Sequence, residues 1–294
     1  VSMRPLGFLC CALALWALVG RAQAALVETQ IDVPVRVQDA WGRAVAQPIR
    51  VTVFADTTNP RPAPIALINH GRAPSASGRA ALGRARYSDA ARYLVGRGFV
   101  VAVPTRVGYG VSGGEDVEAS GACAQRRYPA VFAAAAEQTL AVLEAVRQRP
   151  DVDPDRVLVL GQSFGGATAV ALAAMNPPGV RAAINFAGGG GGSPERHPEQ
   201  PCSPAQLAQL FAAYGRTARV PMLWVYADND RYFGARLPRE WHAAFTQAGG
   251  TAQFVQFGPQ GADGHSLFTR FPATWQPVVS AFLDAQGFAA PAVR

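Results

Sequence analysis

The chain contains no lysine: all 27 basic residues among its 294 are arginine. They are scattered, with no run longer than Arg126-Arg127. No basic stripe of the kind that tracks a nucleic-acid backbone is present, so nucleic acid is not an expected partner. Charged residues are sparse at 16%, while hydrophobic residues reach 49%. That balance excludes a disordered chain, which needs the reverse. Cysteine is scarce too, four in all, and no CxxC or HxxxH spacing accompanies it. A metal site is therefore not expected. No internal repeat and no linker divides the sequence, and beyond the first 24 residues nothing reads as transmembrane.

What is there begins with a targeting pattern. Arg4 supplies a positive start, residues 6–19 are uncharged and apolar, and Ala22-Gln23-Ala24 offers the small residues that a signal peptidase reads. The expected cut follows Ala24. The apolar run is shorter than the roughly 20 residues a spanning helix needs. A periplasmic or secreted mature protein is expected, with no membrane association after cleavage. It would carry 25 arginines against 20 acids, about +5. Cys123 and Cys202 remain in it, either bridged or as two inert thiols, since an oxidising compartment permits a bond but sequence does not give its geometry.

The mature part reads as one domain, 25–294. Strands are expected at 27–37 and 48–55, turning as a hairpin at 39–42, and at 63–68. From there strands and helices alternate. Helices are expected at 87–97, 131–147, 163–175, 204–215, 237–249 and 272–288. Strands are expected at 99–103, 156–160, 180–186, 220–227 and 252–257. The pattern implies an α/β fold: a mostly parallel central sheet with helices on both faces and an antiparallel N-terminal hairpin. Residues 188–216 are a candidate small cap. In such sheets ligands bind beyond the carboxyl ends of the strands.

Gly161-Gln162-Ser163-Phe164-Gly165-Gly166 lies between an expected strand and an expected helix. That context is what a nucleophile elbow requires: a strained turn lifts the serine hydroxyl above the sheet, and glycines flank it because side chains there would clash. A hydroxyl needs a base. Of His70, His197, His242 and His265, only His265 follows the last strand, as the order Ser, acid, His demands. Asp228 and Asp230, after the 220–227 strand, are both candidates for the orienting acid. The need to reach round to the imidazole from the turn favours Asp230, and Asp263 ranks third. The Phe164 N–H, at a helix N-terminus, is one expected oxyanion donor and the Arg72 N–H, after His70-Gly71, the other. The Arg72 side chain could instead contact substrate. His70 reads equally as a residue of the turn or as a direct participant. Tyr109, Phe164, Tyr232 and Phe233 are candidates to line a cleft, Tyr109 and Tyr232 as substrate-binding residues.

These pieces, with Asn69-His70-Gly71 and Arg106-Val107-Gly108-Tyr109-Gly110-Val111-Ser112, resemble the α/β-hydrolase superfamily, and within it the dienelactone-hydrolase-like and prolyl-oligopeptidase-like esterases. The resemblance spans roughly residues 50 to 290. It implies a cofactor-free serine hydrolase that forms an acyl-enzyme on Ser163 and acts on a small-molecule or polymer ester. A peptidase or lipid hydrolase on the same triad, or a non-catalytic binding protein of this fold, are the alternatives. Dienelactone hydrolases in the strict sense carry cysteine where Ser163 stands, so their substrate is not carried over. A Cys123–Cys202 bridge would tie the loops 112–130 and 188–216 together near a pocket mouth.

Overall fold

The computed structural model describes residues 26–58 and 62–290, so the expected leader and its cut lie outside the described residues. Strands β1 (Leu26–Gln38) and β2 (Ala44–Asp56) pair antiparallel over their whole length. Asp39 closes their turn by accepting the Trp41 and Arg43 N–H groups at 2.9 Å each. The hairpin is longer than expected because the alternating stretch 44–47 extends β2 toward the turn.

The other six strands are β3 (Ala63–Asn69), β4 (Val100–Pro104), β5 (Val152–Gln162), β6 (Val180–Phe186), β7 (Met222–Ala227) and β8 (Ala252–Phe257). The sheet order is β1-β2-β4-β3-β5-β6-β7-β8, and every pairing from β4 onward is parallel. Strand β5 starts four residues before the expected strand 156–160, because Val152 and Asp153 already pair with Ala63 and Pro64 ahead of a register shift. Strands β3, β4 and β7 are buried throughout, as sequences without polar alternation should be.

Among the described residues there are eight α-helices: α1 (Ala76–Ala80), α2 (Ser88–Gly96), α3 (Tyr128–Arg147), α4 (Phe164–Ala174), α5 (Pro204–Thr217), α6 (Arg236–Gln247), α7 (Leu267–Arg270) and α8 (Pro272–Ala285). One face of the sheet is covered by α3, α4, α5 and α6, the other by α2, α7 and α8. Helix α3 is long and apolar enough to cross a membrane, but Val131, Phe132, Ala135, Val142, Leu143 and Val146 bury it against the sheet, so it is a core helix here. Helices α1 and α7 fall where no periodic stripe is long enough to signal them. The expected cap is only partly one. Residues 188–203 run over the carboxyl end of the sheet, whereas α5 docks into the core through Leu207, Leu210 and Phe211.

Candidate active site

The parallel strands deliver four loops to one edge. Ser163 sits between β5 and α4 with φ 57° and ψ −125°, a conformation a non-glycine residue adopts only under strain. Such strain typically costs about 1–3 kcal/mol and concentrates at functional sites. The turn closes because the Ser163 carbonyl accepts from Gly166, Ala167 and Gly189 N–H groups at 2.9, 3.2 and 3.2 Å. Its tightness explains the flanking glycines. A Cβ on Gly161 would stand 2.2 Å from the Gly165 carbonyl oxygen, and one on Gly165 only 2.1 Å from that of Asn69.

Across the edge, β7 ends at Ala227 and the next turn carries Asp230, fully buried. Its Oδ1 accepts the Tyr232 and Phe233 N–H groups at 2.8 and 3.1 Å, and its Oδ2 faces His265 Nδ1 at 2.9 Å. Asp228 is instead half-exposed and accepts from Gln256 Nε2 at 2.7 Å. Asp263 is a capping residue: its Oδ1 accepts the His265 and Arg231 N–H groups at 3.0 and 3.1 Å. Of the three carboxylates considered, only Asp230 meets the imidazole.

The loop after β3 approaches the elbow from the other side. A Cβ on Gly71 would lie 3.3 Å from Ser163 Cβ. The Gly71 N–H is directed to the Tyr87 hydroxyl at 3.4 Å, and Arg72 follows it at the pocket edge. The Phe164 N–H opens α4, where the helix has no acceptor of its own to offer. Ser163 opens onto a cavity of about 580 Å³ whose walls include Phe164, Tyr128, the glycines 189–192, Tyr232, Phe233 and the Cys123–Cys202 disulfide. The Tyr232 ring, part of that wall, stacks on His265 with centroids 3.9 Å apart. Among the described residues the Ser163 hydroxyl and His265 Nε2 hold no hydrogen bond, leaving both free to engage a reacting group. In unliganded enzymes that contact is commonly long and tightens with substrate. No group of three His, Cys, Asp or Glu side chains among the described residues is placed to hold a metal.

A family model for the dienelactone hydrolase family matches residues 80–274, which contain the elbow, the acid and the histidine. The chain belongs to that family. It is therefore a hydrolase of the α/β-hydrolase fold. No curated protein matches its sequence. Among solved structures it is similar to a Klebsiella pneumoniae protein assigned as a dienelactone hydrolase (16% identity, 90% of this chain and 99% of that one, TM-score 0.59). It is also similar to an acetyl xylan esterase from a Paenibacillus species (16%, 90% and 89%, 0.56) and to an acylaminoacyl peptidase from Pyrococcus horikoshii (14%, 88% and 42%, 0.56). At such identities the likeness is one of fold.

Two expectations for this family member need correction. Tyr109 does not line the cavity. It is buried edge-on against His70, and its hydroxyl donates to Glu118 Oε2 at 2.6 Å. The Arg72 side chain is not free for substrate either, because both guanidinium nitrogens donate to Asp116 at 2.7 Å. Phe164, Tyr232 and Phe233 do line the cavity.

Sequence reading also missed what holds the two loops in place. Gln162, a variable position of the motif, donates from Nε2 to the His265 carbonyl at 2.8 Å and accepts from the Tyr87 hydroxyl at 3.3 Å. It thus ties the histidine loop to the elbow. Arg106 and Glu118 form a fully buried ion pair, with Nε to Oε1 at 2.5 Å, and Arg106 Nη1 donates to the His70 carbonyl at 2.9 Å. Only the unusual run of charge within an apolar loop could have hinted at this. Removing one member of such a pair strands the other charge in the interior. Glu118→Gln should therefore lower stability by about 3–5 kcal/mol, read as a fall in the urea midpoint.

His70 resolves to a residue of the turn. Its Nε2 accepts the Arg106 N–H at 3.1 Å, which puts the ring proton on Nδ1, where it donates to the Gly71 carbonyl at 2.7 Å. Burial and then the nearby Arg106 charge hold its pKa well below the ordinary histidine range. The unfolded chain therefore takes up a proton near pH 6.5 that the native chain refuses. Stability should be constant above that pH and fall below it by up to about 1.4 kcal/mol per pH unit. Urea unfolding between pH 7.5 and 5.5 checks this, and His70→Asn should flatten the limb.

Proposed function

We propose that this hydrolase cleaves carboxylic esters by acyl transfer to Ser163. The observation that carries this reading is the buried Asp230–His265 pair, at 2.9 Å, stacked against Tyr232 in the wall of the cavity onto which a strained serine opens. In the proposed cycle His265 Nε2 takes the hydroxyl proton as Oγ bonds to the ester carbonyl carbon. Asp230 keeps the other ring proton on Nδ1 and stabilises the imidazolium. The Phe164 and Arg72 N–H groups receive the oxyanion. His265 then returns the proton to the leaving alcohol, and water, activated by the same base, releases the acid and frees Ser163.

The Cys123–Cys202 disulfide supports action in an oxidising compartment, in keeping with the proposed periplasmic or secreted location. A panel of p-nitrophenyl esters of increasing acyl length, run beside a peptide panel, tests the reading. Release of nitrophenol with no peptide cleavage is expected; peptide cleavage with inert esters would overturn it.

A further inference from the structure

We infer that Gln162 and Tyr87 are positioning residues: one hydrogen-bonded chain through their side chains holds the histidine loop and the oxyanion loop in place about Ser163. The inference rests on the proposed acyl transfer, which needs three loops to converge. The sheet brings together only two of them. Strands β3 and β5 are neighbours, paired as far as Asn69 and Gly161, so the loop carrying Arg72 starts beside the elbow. The histidine loop instead follows β8, three strands away from β5. Its backbone is anchored to the turn of the acid, where the Gly264 N–H donates to the Asn229 carbonyl at 3.1 Å and Asp263 Oδ1 accepts the Arg231 N–H at 3.1 Å. Toward the elbow, among the described residues, its one hydrogen bond is that from Gln162 Nε2 to the His265 carbonyl, at 2.8 Å.

The same amide reaches the third loop. Its Oε1 accepts the Tyr87 hydroxyl at 3.3 Å, and the Tyr87 oxygen accepts the Gly71 N–H at 3.4 Å. Each donor in the chain fixes the next. The His265 carbonyl requires the amide NH₂ to face it, which leaves Oε1 for the hydroxyl proton and the hydroxyl oxygen for Gly71. Burial raises the Tyr87 pKa above the ordinary phenol range, so the hydroxyl keeps the proton it donates. Tyr87 is itself held in the left-handed region, φ 47° and ψ 47°, at the start of α2. A non-glycine residue stays there only where its surroundings over-determine it. Its ring packs on Phe268, three residues beyond His265, with centroids 5.4 Å apart, so it braces the histidine loop as well. Neither side chain belongs to the cavity wall, so their effect on the reaction runs through the loops they join.

Two variants test this: Gln162→Met keeps the length of the side chain and removes both contacts, and Tyr87→Phe removes the hydroxyl alone. With p-nitrophenyl acetate, kcat per site titrated by a fluorophosphonate should fall about 10- to 100-fold in Gln162→Met and by less in Tyr87→Phe, with KM within about twofold of the parent. The double variant should lose no more than Gln162→Met alone, because both changes break one chain. Titration counts only folded sites, so side chains that merely stabilised the fold would lower the urea midpoint and leave kcat per site unchanged. That result, or losses in the single variants that multiply in the double, overturns the inference. Hydrogen exchange separates it from the reaction assignment. The amides of 264–266 should exchange faster in Gln162→Met, and that of Gly71 faster in Tyr87→Phe. Those changes in a protein whose parent turns over no ester would sink the acyl-transfer assignment and keep the chain that joins the loops.

Discussion

Ser163→Ala should lower kcat/KM for esters by four to six orders of magnitude, on the order of 10⁴–10⁶, without unfolding the protein. In the proposed cycle the hydroxyl, the imidazole and the carboxylate act as one unit, so removing the nucleophile would idle the other two. A residual rate above that of water should persist. The Phe164 N–H and the loop carrying Arg72 do not depend on the Ser163 side chain, so oxyanion stabilisation and binding survive. Stability should hold or rise slightly. The elbow is held by the Ser163 carbonyl, which accepts three N–H groups whatever side chain the residue carries. Steady-state kinetics with a urea titration beside them checks both halves.

Asp230→Asn should cost about 10⁴ in kcat through a tautomer change rather than through misfolding. Oδ1 of Asp230 accepts two backbone N–H groups, from Tyr232 and Phe233. An asparagine must keep its oxygen there, which turns its NH₂ toward His265 Nδ1. The imidazole then accepts on Nδ1 and carries its proton on Nε2, where it cannot take one from serine. Asp228→Asn should leave the rate unchanged, since that carboxylate meets Gln256 and not the histidine. A large loss in the Asp228 variant and a small one in the Asp230 variant would exchange the two assignments.

The parallel core was legible because strands such as β3, β4 and β7 are continuous apolar runs, and because the segments between strands read as helices, α4 apolar all round and buried throughout. The elbow was legible for a different reason: its glycine–serine–glycine spacing lies between a strand and a helix within a few residues, although the clashes its glycines avoid include the Asn69 carbonyl on the neighbouring strand. What could not be read is what forms across the chain. Tyr109 looked like a cleft aromatic, yet the fold turns it inward onto His70 and Glu118. Gln162 occupies a position the motif leaves open, and its task appears only when the loop ending at His265 arrives 103 residues later. The cap was misjudged for a similar reason. The apolar face of α5 looks the same whether it covers a substrate or, as here, packs beside Trp224 and Trp241. The disulfide could be named as a pair but not as a bond until the folded loops set Cys123 beside Cys202.

The central claim is that Ser163 is an activated nucleophile. It is tested most directly by treating the folded protein with a fluorophosphonate and mapping the adduct by mass spectrometry. Cleavage after arginine yields the peptide Val157–Arg181, in which Ser163 is the only serine. The account expects stoichiometric phosphonylation of that serine, abolished in Ser163→Ala and strongly slowed in Asp230→Asn. An unmodified peptide from folded protein, or label on another residue, would contradict it.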